Sequence, residues 1–120
     1  MSGREKKWIL FLITDRKRRR QIDASLEVAK YGRRVVTTAK GAVEALGDTT
    51  RSWDMIVVDR LEEPLVECLR EMRARPIIVS FVARHHTGLI IRKVTDIPDL
   101  ESVLRFHLGR QSDETPMRSG

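Results

Sequence analysis

The sequence holds a single cysteine, Cys68, among its 120 residues. That excludes an intramolecular disulfide and suits a reducing compartment. No apolar run approaches the roughly 18 residues that a membrane-spanning helix needs, so no span and no membrane partner are expected. The opening stretch, "MSGREKKWILFLIT", turns from basic to apolar as a secretion signal does. Its apolar part is short, Asp15 and an arginine run follow at once, and no small-residue cleavage site is present. Export is therefore not expected, and the cytoplasm is the default location. Aromatic residues make up only 5% of the chain. With no RNA-binding signature beside them, base stacking and a nucleic-acid partner are not expected. Neither a Ser-His-Asp nor a Cys-His arrangement is present, and there is no glycine-rich phosphate loop, so an independent enzyme is not expected. Internal repeats and domain boundaries are also lacking.

What is there fits one small domain. Apolar residues account for 41%, enough for a single core, and a third of the chain is charged. The formal net charge of +6 makes anionic partners conceivable but says nothing of the fold. "WILFLIT" (8–14) is a continuous apolar run, the pattern of a strand buried on both faces. "DRKRRRQIDASLEVAKYG" (15–32) puts Ile22, Leu26 and Ala29 at helical spacing, with Gly32 as a stop. "RVVTTA" (34–39) predicts a second strand, and "GAVEALGD" (41–48) a short helix. "DMIVVD" (54–59) predicts a third strand. "PLVECLREMR" (64–73) sets Leu65, Cys68, Leu69 and Met72 on one helical stripe. "IIVSFVA" (77–83) and "LIIRKV" (89–94) predict two more strands. "DIPDLESVLRFHL" (96–108) predicts a closing helix capped by Asp96. Residues 109–120 predict a disordered polar tail.

Strands alternating with helices argue for an α/β sandwich around a parallel sheet. In such sheets ligand chemistry gathers at the carboxyl ends of the strands. Asp15 follows the first strand and Asp59 ends the third. If the strands are neighbours, the two carboxylates converge, and with waters they suit a hard cation such as Mg²⁺. The plainer alternative is that acidic residues close strands for solubility. Other features read plainly too. "RKRRR" (16–20) fits a solvated helix face, although cations at a helix N-terminus oppose the macrodipole and favour a nearby anion. His85 and His86 fit a loop without metal partners, Cys68 a core thiol, and Trp8 and Trp53 packing at strand starts.

Over residues 7–108 the chain resembles the receiver domain of two-component response regulators. "ILFLITDRK" stands where that family has an apolar strand ending in an acidic pair. "TTAKGAVEAL" resembles its second strand and helix through Ala39, Gly41, Glu44, Ala45 and Leu46. "WDMIVVD" resembles the third strand, which ends on the phosphoacceptor aspartate, and "PIIVSFVA" and "GLIIRKV" resemble the fourth and fifth. The resemblance implies a flavodoxin-like, receiver-like three-layer sandwich with strand order 2-1-3-4-5, spanning 1–108. It implies phosphotransfer from a kinase histidine with Mg²⁺. Asp59 becomes the candidate phosphoacceptor, Asp15 and Asp59 candidate Mg²⁺ ligands, Ser80 the candidate switch hydroxyl, and Arg92 or Lys93 the candidate phosphate contact.

The departures from that pattern decide the functional expectation. Thr14 replaces the second acid, and Arg16 adds a cation beside the metal site, so attraction for Mg²⁺ falls. A one-residue shift of register would put Phe81, which cannot donate a hydrogen bond, in place of Ser80. Arginine does not reproduce a lysine point charge at the same geometry. "RLEEP" is shorter than the family's loop after the acceptor. Only "RHHTG" (84–88) separates the fourth and fifth strands, where the family has a helix. An extended segment could just return for a parallel strand; loop length alone favours an antiparallel hairpin. The resemblance favours the first, which we adopt. Either way one sheet face loses cover over 77–82 and 89–91, and exposed apolar area of that kind marks an interface. The expectation is an atypical or pseudo-receiver that signals through protein contacts, with a signalling partner (a histidine kinase or another protein) or a homodimer over strands four and five. The alternatives are a conventional Mg²⁺-dependent phosphoacceptor using Asp59, and a basic nucleic-acid-binding domain using the arginines at 16–20 and 33–34.

Overall fold

The computed structural model describes residues 6–48, 50–82 and 85–109. The elements in chain order are β1 (Trp8–Leu12), α1 (Arg16–Asp23), a 3-10 turn (Val28–Lys30), β2 (Gly32–Val36) and α2 (Ala39–Leu46). There follow β3 (Met55–Val58), α3 (Glu63–Glu71), β4 (Ile77–Ser80), β5 (Ile91–Lys93) and α4 (Ile97–His107). The five strands form one sheet in the order β2-β1-β3-β4-β5, and every pairing is parallel. This is a flavodoxin-like α/β fold, as expected, and β5 is a parallel strand. The tail expected over 109–120 lies outside the described residues from 110 onward.

The apolar runs explain the layers. Strand side chains alternate between the two faces, so a central strand must be apolar on both. On one face Ile9, Phe11, Met55, Val57 and Val79 pack with Ile22 of α1 and with Leu100, Val103 and Leu104 of α4. On the other, Leu10, Leu12, Ile56, Val58 and Ile78 pack with Ala42 and Ala45 of α2 and with Leu65, Val66 and Leu69 of α3. Trp8 and Trp53 pack edge to face with ring centroids 6.3 Å apart. The Trp53 indole N–H donates to Ala45 O at 3.0 Å. The Trp8 ring also explains Gly32: a Cβ there would lie 2.5 Å from it.

Several boundaries differ from expectation. The helix predicted over 15–32 ends at Asp23, and Leu26 is 84% exposed instead of lying on a buried stripe. The buried Ser25 hydroxyl donates to Glu101 at 2.5 Å and accepts from Val28 N–H at 3.2 Å, which diverts the chain into the 3-10 turn. Serine competes with helical bonding in this way. β2 starts and ends earlier than predicted because Thr38 leaves the strand to cap α2, accepting from Gly41 N–H at 3.0 Å. Met72 is extended at the end of α3. β5 is only three residues long.

Among the described residues of the link from β4 to β5 there is no helix. Side chains from α3 and its C-terminal loop anchor the described part of this link. Arg75 donates to Leu69 O at 2.8 Å, Arg70 O at 3.1 Å and Gly88 O at 3.0 Å, and Arg70 donates to Thr87 O at 2.8 Å. Gly88 takes φ 86°, a region that favours glycine, and Leu89 turns inward into the α2/α3 core.

Tyr31 is the chain's one tyrosine and is buried under α4 and the 3-10 turn. Burial raises its pKa above the ordinary 10.0, the charge of Glu27 raises it further, and Arg105 opposes. A raised folded-state value means stability that is complete below pH 10.0 and is lost as pH climbs through the folded value. Phenolate absorbance should titrate with a midpoint above 10.0, and Tyr31→Phe should remove that alkaline loss. A midpoint at the free-tyrosine value would contradict this packing.

Candidate functional site

The carboxyl ends of β1, β3 and β4 build the site. Asp59 follows β3, and its N–H donates to Leu12 O at 3.0 Å, so the parallel ladder continues to its backbone. Its side chain is 3% exposed. Three donors make four short contacts with its carboxylate. Thr14 N–H is shared between Oδ1 at 2.9 Å and Oδ2 at 3.0 Å, Thr14 Oγ1 donates to Oδ1 at 3.1 Å, and Asp15 N–H donates to Oδ2 at 3.0 Å. The Arg18 guanidinium stands 3.9 Å from Oδ2. Charge-assisted bonds of this kind are the strong ones, and without them a buried carboxylate would be costly.

Asp15 caps the helix that follows it. Its carboxylate caps α1, accepting from Arg18 N–H at 2.9 Å, while its own N–H serves Asp59. A cap is what aspartate at this position does well, and it favours the positive helix terminus. Arg18, three residues on, then falls one turn into the helix and faces both Asp59 and Phe81. Its guanidinium carbon lies 4.4 Å from the Phe81 ring centroid, a cation–π distance. It is Arg18, and not Arg16, that supplies the cation next to Asp59.

Register fixes the remaining candidates. Val58 pairs with Ser80, and Ser80 with Lys93. The ladder continues one step through Phe81 N–H to Val58 O at 2.9 Å and Val94 N–H to Ser80 O at 2.9 Å. The strand-end row that holds Asp59 therefore runs on to Phe81 and Val94, both buried. Ser80 lies one row below, fully buried, with its hydroxyl donating to Val82 O at 2.9 Å and accepting from Val82 N–H at 3.0 Å. Arg92 and Lys93 are exposed on β5, level with Val79 and Ser80. The fold thus brings Asp15 next to Asp59 but leaves Ser80, Arg92 and Lys93 a row or more away from it.

Thr14 and Arg18 are the site residues that sequence reading missed. In the sequence Thr14 stands only in place of an acid; in the fold its hydroxyl and amide are the carboxylate's main partners. Among the described residues no group of three or more His, Cys, Asp or Glu could hold a metal ion. Cys68 is half-buried against the core, and burial and then Glu71 raise its pKa, which keeps the thiol protonated at neutral pH. No described helix is long and apolar enough to cross a membrane. No protein-family model matches the chain, and no curated protein matches it.

Proposed function

We propose that this chain is an atypical, receiver-like signalling module that works through protein contacts in the cytoplasm and does not depend on phosphorylation of Asp59. The observation that carries the reading is the closed carboxylate. A phosphoryl group or Mg²⁺ at Asp59 would have to displace the Thr14 and Asp15 N–H donors. Neither a hydroxyl nor an ammonium follows in the same strand-end row, where Phe81 and Val94 stand. Arg18, seated on Phe81, supplies the positive charge that a cation would otherwise bring. The aspartate in this reading is an internal anchor between β1 and β3.

The second reading, a conventional acceptor, rests on the position of Asp59 at the carboxyl end of β3, beside Asp15. Incubation of the chain with phosphoramidate and Mg²⁺, followed by intact mass measurement, separates the two. Under the proposed reading the mass stays that of the unmodified chain. A phosphoryl adduct lost in Asp59→Asn would establish the acceptor instead.

A further inference from the structure

Among the described residues the sheet ends at β5. In the described residues β5 pairs with β4 alone. Val94 N–H turns inward to Ser80 O, so by alternation Arg92 also faces β4. The peptide groups of Ile91 and Lys93 then point outward. Beside this edge a groove of about 450 Å³ is lined by Pro76, Ile77, Ile78, Ile90, Ile91 and Arg92, among others. Ile90 is 91% exposed, the most exposed large apolar side chain of the described residues.

Charge selects the occupant. Among the described residues no acidic side chain lines the groove, and Arg75 flanks it together with Arg92. Among the described residues Arg75 donates to neutral carbonyls, and Arg92 and Lys93 are exposed along the strand itself. A second copy adding at this edge would set those cations against their own kind, on chains that each carry +6. A short strand bearing lysine is also how edges resist self-pairing. An acidic partner meets no such barrier.

We infer that β5 is the docking edge for an extended, acidic segment of another protein, which adds to the sheet as a sixth strand and seats an apolar side chain beside Ile90 in the groove. This rests on the reading of the chain as a protein-contact module and names the chemistry of its partner. Backbone pairing would give affinity, and the apolar and acidic side chains specificity.

The test titrates the ¹⁵N-labelled full chain with the peptide Ac-Glu-Ile-Asp-Val-Glu-Val-Asp-NH₂, with Ac-Lys-Ile-Lys-Val-Lys-Val-Lys-NH₂ as charge control. The expected result is saturable shifts of the amides from Ile90 to Lys93 with the acidic peptide only. Ile90→Asp should weaken binding about tenfold, as losing an exposed apolar anchor does. Arg92→Glu should reverse the preference between the two peptides. Both side chains are exposed, so neither change threatens the fold. No binding at about 1 mM, the weak end of measurable affinity, would overturn the inference. So would shifts that map elsewhere, equal binding of both peptides, or a concentration-dependent dimer through β5. None of these readouts involves Mg²⁺ or phosphoryl chemistry at Asp59, so this inference and the reading of Asp59 can fail separately.

Discussion

Asp59→Ala should destabilise the protein by about 2 kcal/mol, the scale expected when hydrogen bonds to a charged acceptor are lost. The substitution strands the Thr14 and Asp15 N–H groups at the junction of β1 and α1. It also frees the Thr14 hydroxyl, which is near solvent and can rehydrate cheaply. The Arg18 ion pair adds little, because the guanidinium is a third exposed and the distance is 3.9 Å. Asp59→Asn keeps one oxygen acceptor but sets an amide donor against donors, so its cost should be a fraction of the alanine cost. Urea unfolding reads both through the midpoint at unchanged slope. The sign is the informative part. If Asp59 stood beside Asp15 as an unshielded pair of carboxylates, its removal would relieve repulsion and leave stability equal or higher. That result would contradict the anchor.

Phe11→Ala should cost about 4 kcal/mol, in the range measured for deletion of a buried aromatic ring. Phe11 has no solvent exposure, and β1 pairs on both sides, with Val35 across one edge and Val57 across the other. Its ring fills the layer that α1 and α4 cover. Small domains hold roughly 5–15 kcal/mol in total, so this one change removes a large share of what keeps the sheet together. Phe11→Leu keeps most of the volume and should cost about 1 kcal/mol. Near-equal midpoints for the alanine and leucine variants in urea unfolding would show that this layer is looser than its burial indicates.

Strands β1 and β3 were legible because a strand buried on both faces has to be apolar throughout, and short runs such as "MIVV" have few other uses. Asp96 and Pro98 announced α4 through local capping chemistry, and the structure has Asp96 accepting from Asp99 N–H at 2.9 Å. The first helix reads too long in the sequence because Ile22, Leu26 and Ala29 keep helical spacing past the point where the chain turns. What ends it is the bond from Ser25 to Glu101, 76 residues away, which no local window contains. The parallel return to β5 was also beyond local reading: it depends on Arg70 and Arg75 holding the link from α3.

The site divided in the same way. Asp59 stood out as an acid at the end of an apolar run. Its partners did not, because the Thr14 bonds span 45 residues and arise only once β1 and β3 lie side by side. The alternative of Phe81 in the row of Asp59 could be framed from sequence, but only the β3–β4 register decides it. Arg18 was one of five consecutive cations, with nothing local to distinguish it. Its role follows from Asp15 capping α1, which sets the helix phase so that position 18 looks back at Asp59.

The Asp59 carboxylate is held by the Thr14 and Asp15 donors before any ligand arrives. Whether it opens is read by following the amides of Thr14, Asp15, Asp59 and Phe81 by NMR while Mg²⁺, and then Mg²⁺ with beryllofluoride, is added. The closed carboxylate predicts that these amides do not move beyond the small uniform change that added salt gives. Saturable shifts at Thr14 and Asp15 that disappear in Asp59→Asn would mean that the carboxylate opens to a cation and a phosphoryl mimic, and that Asp59 is no fixed anchor.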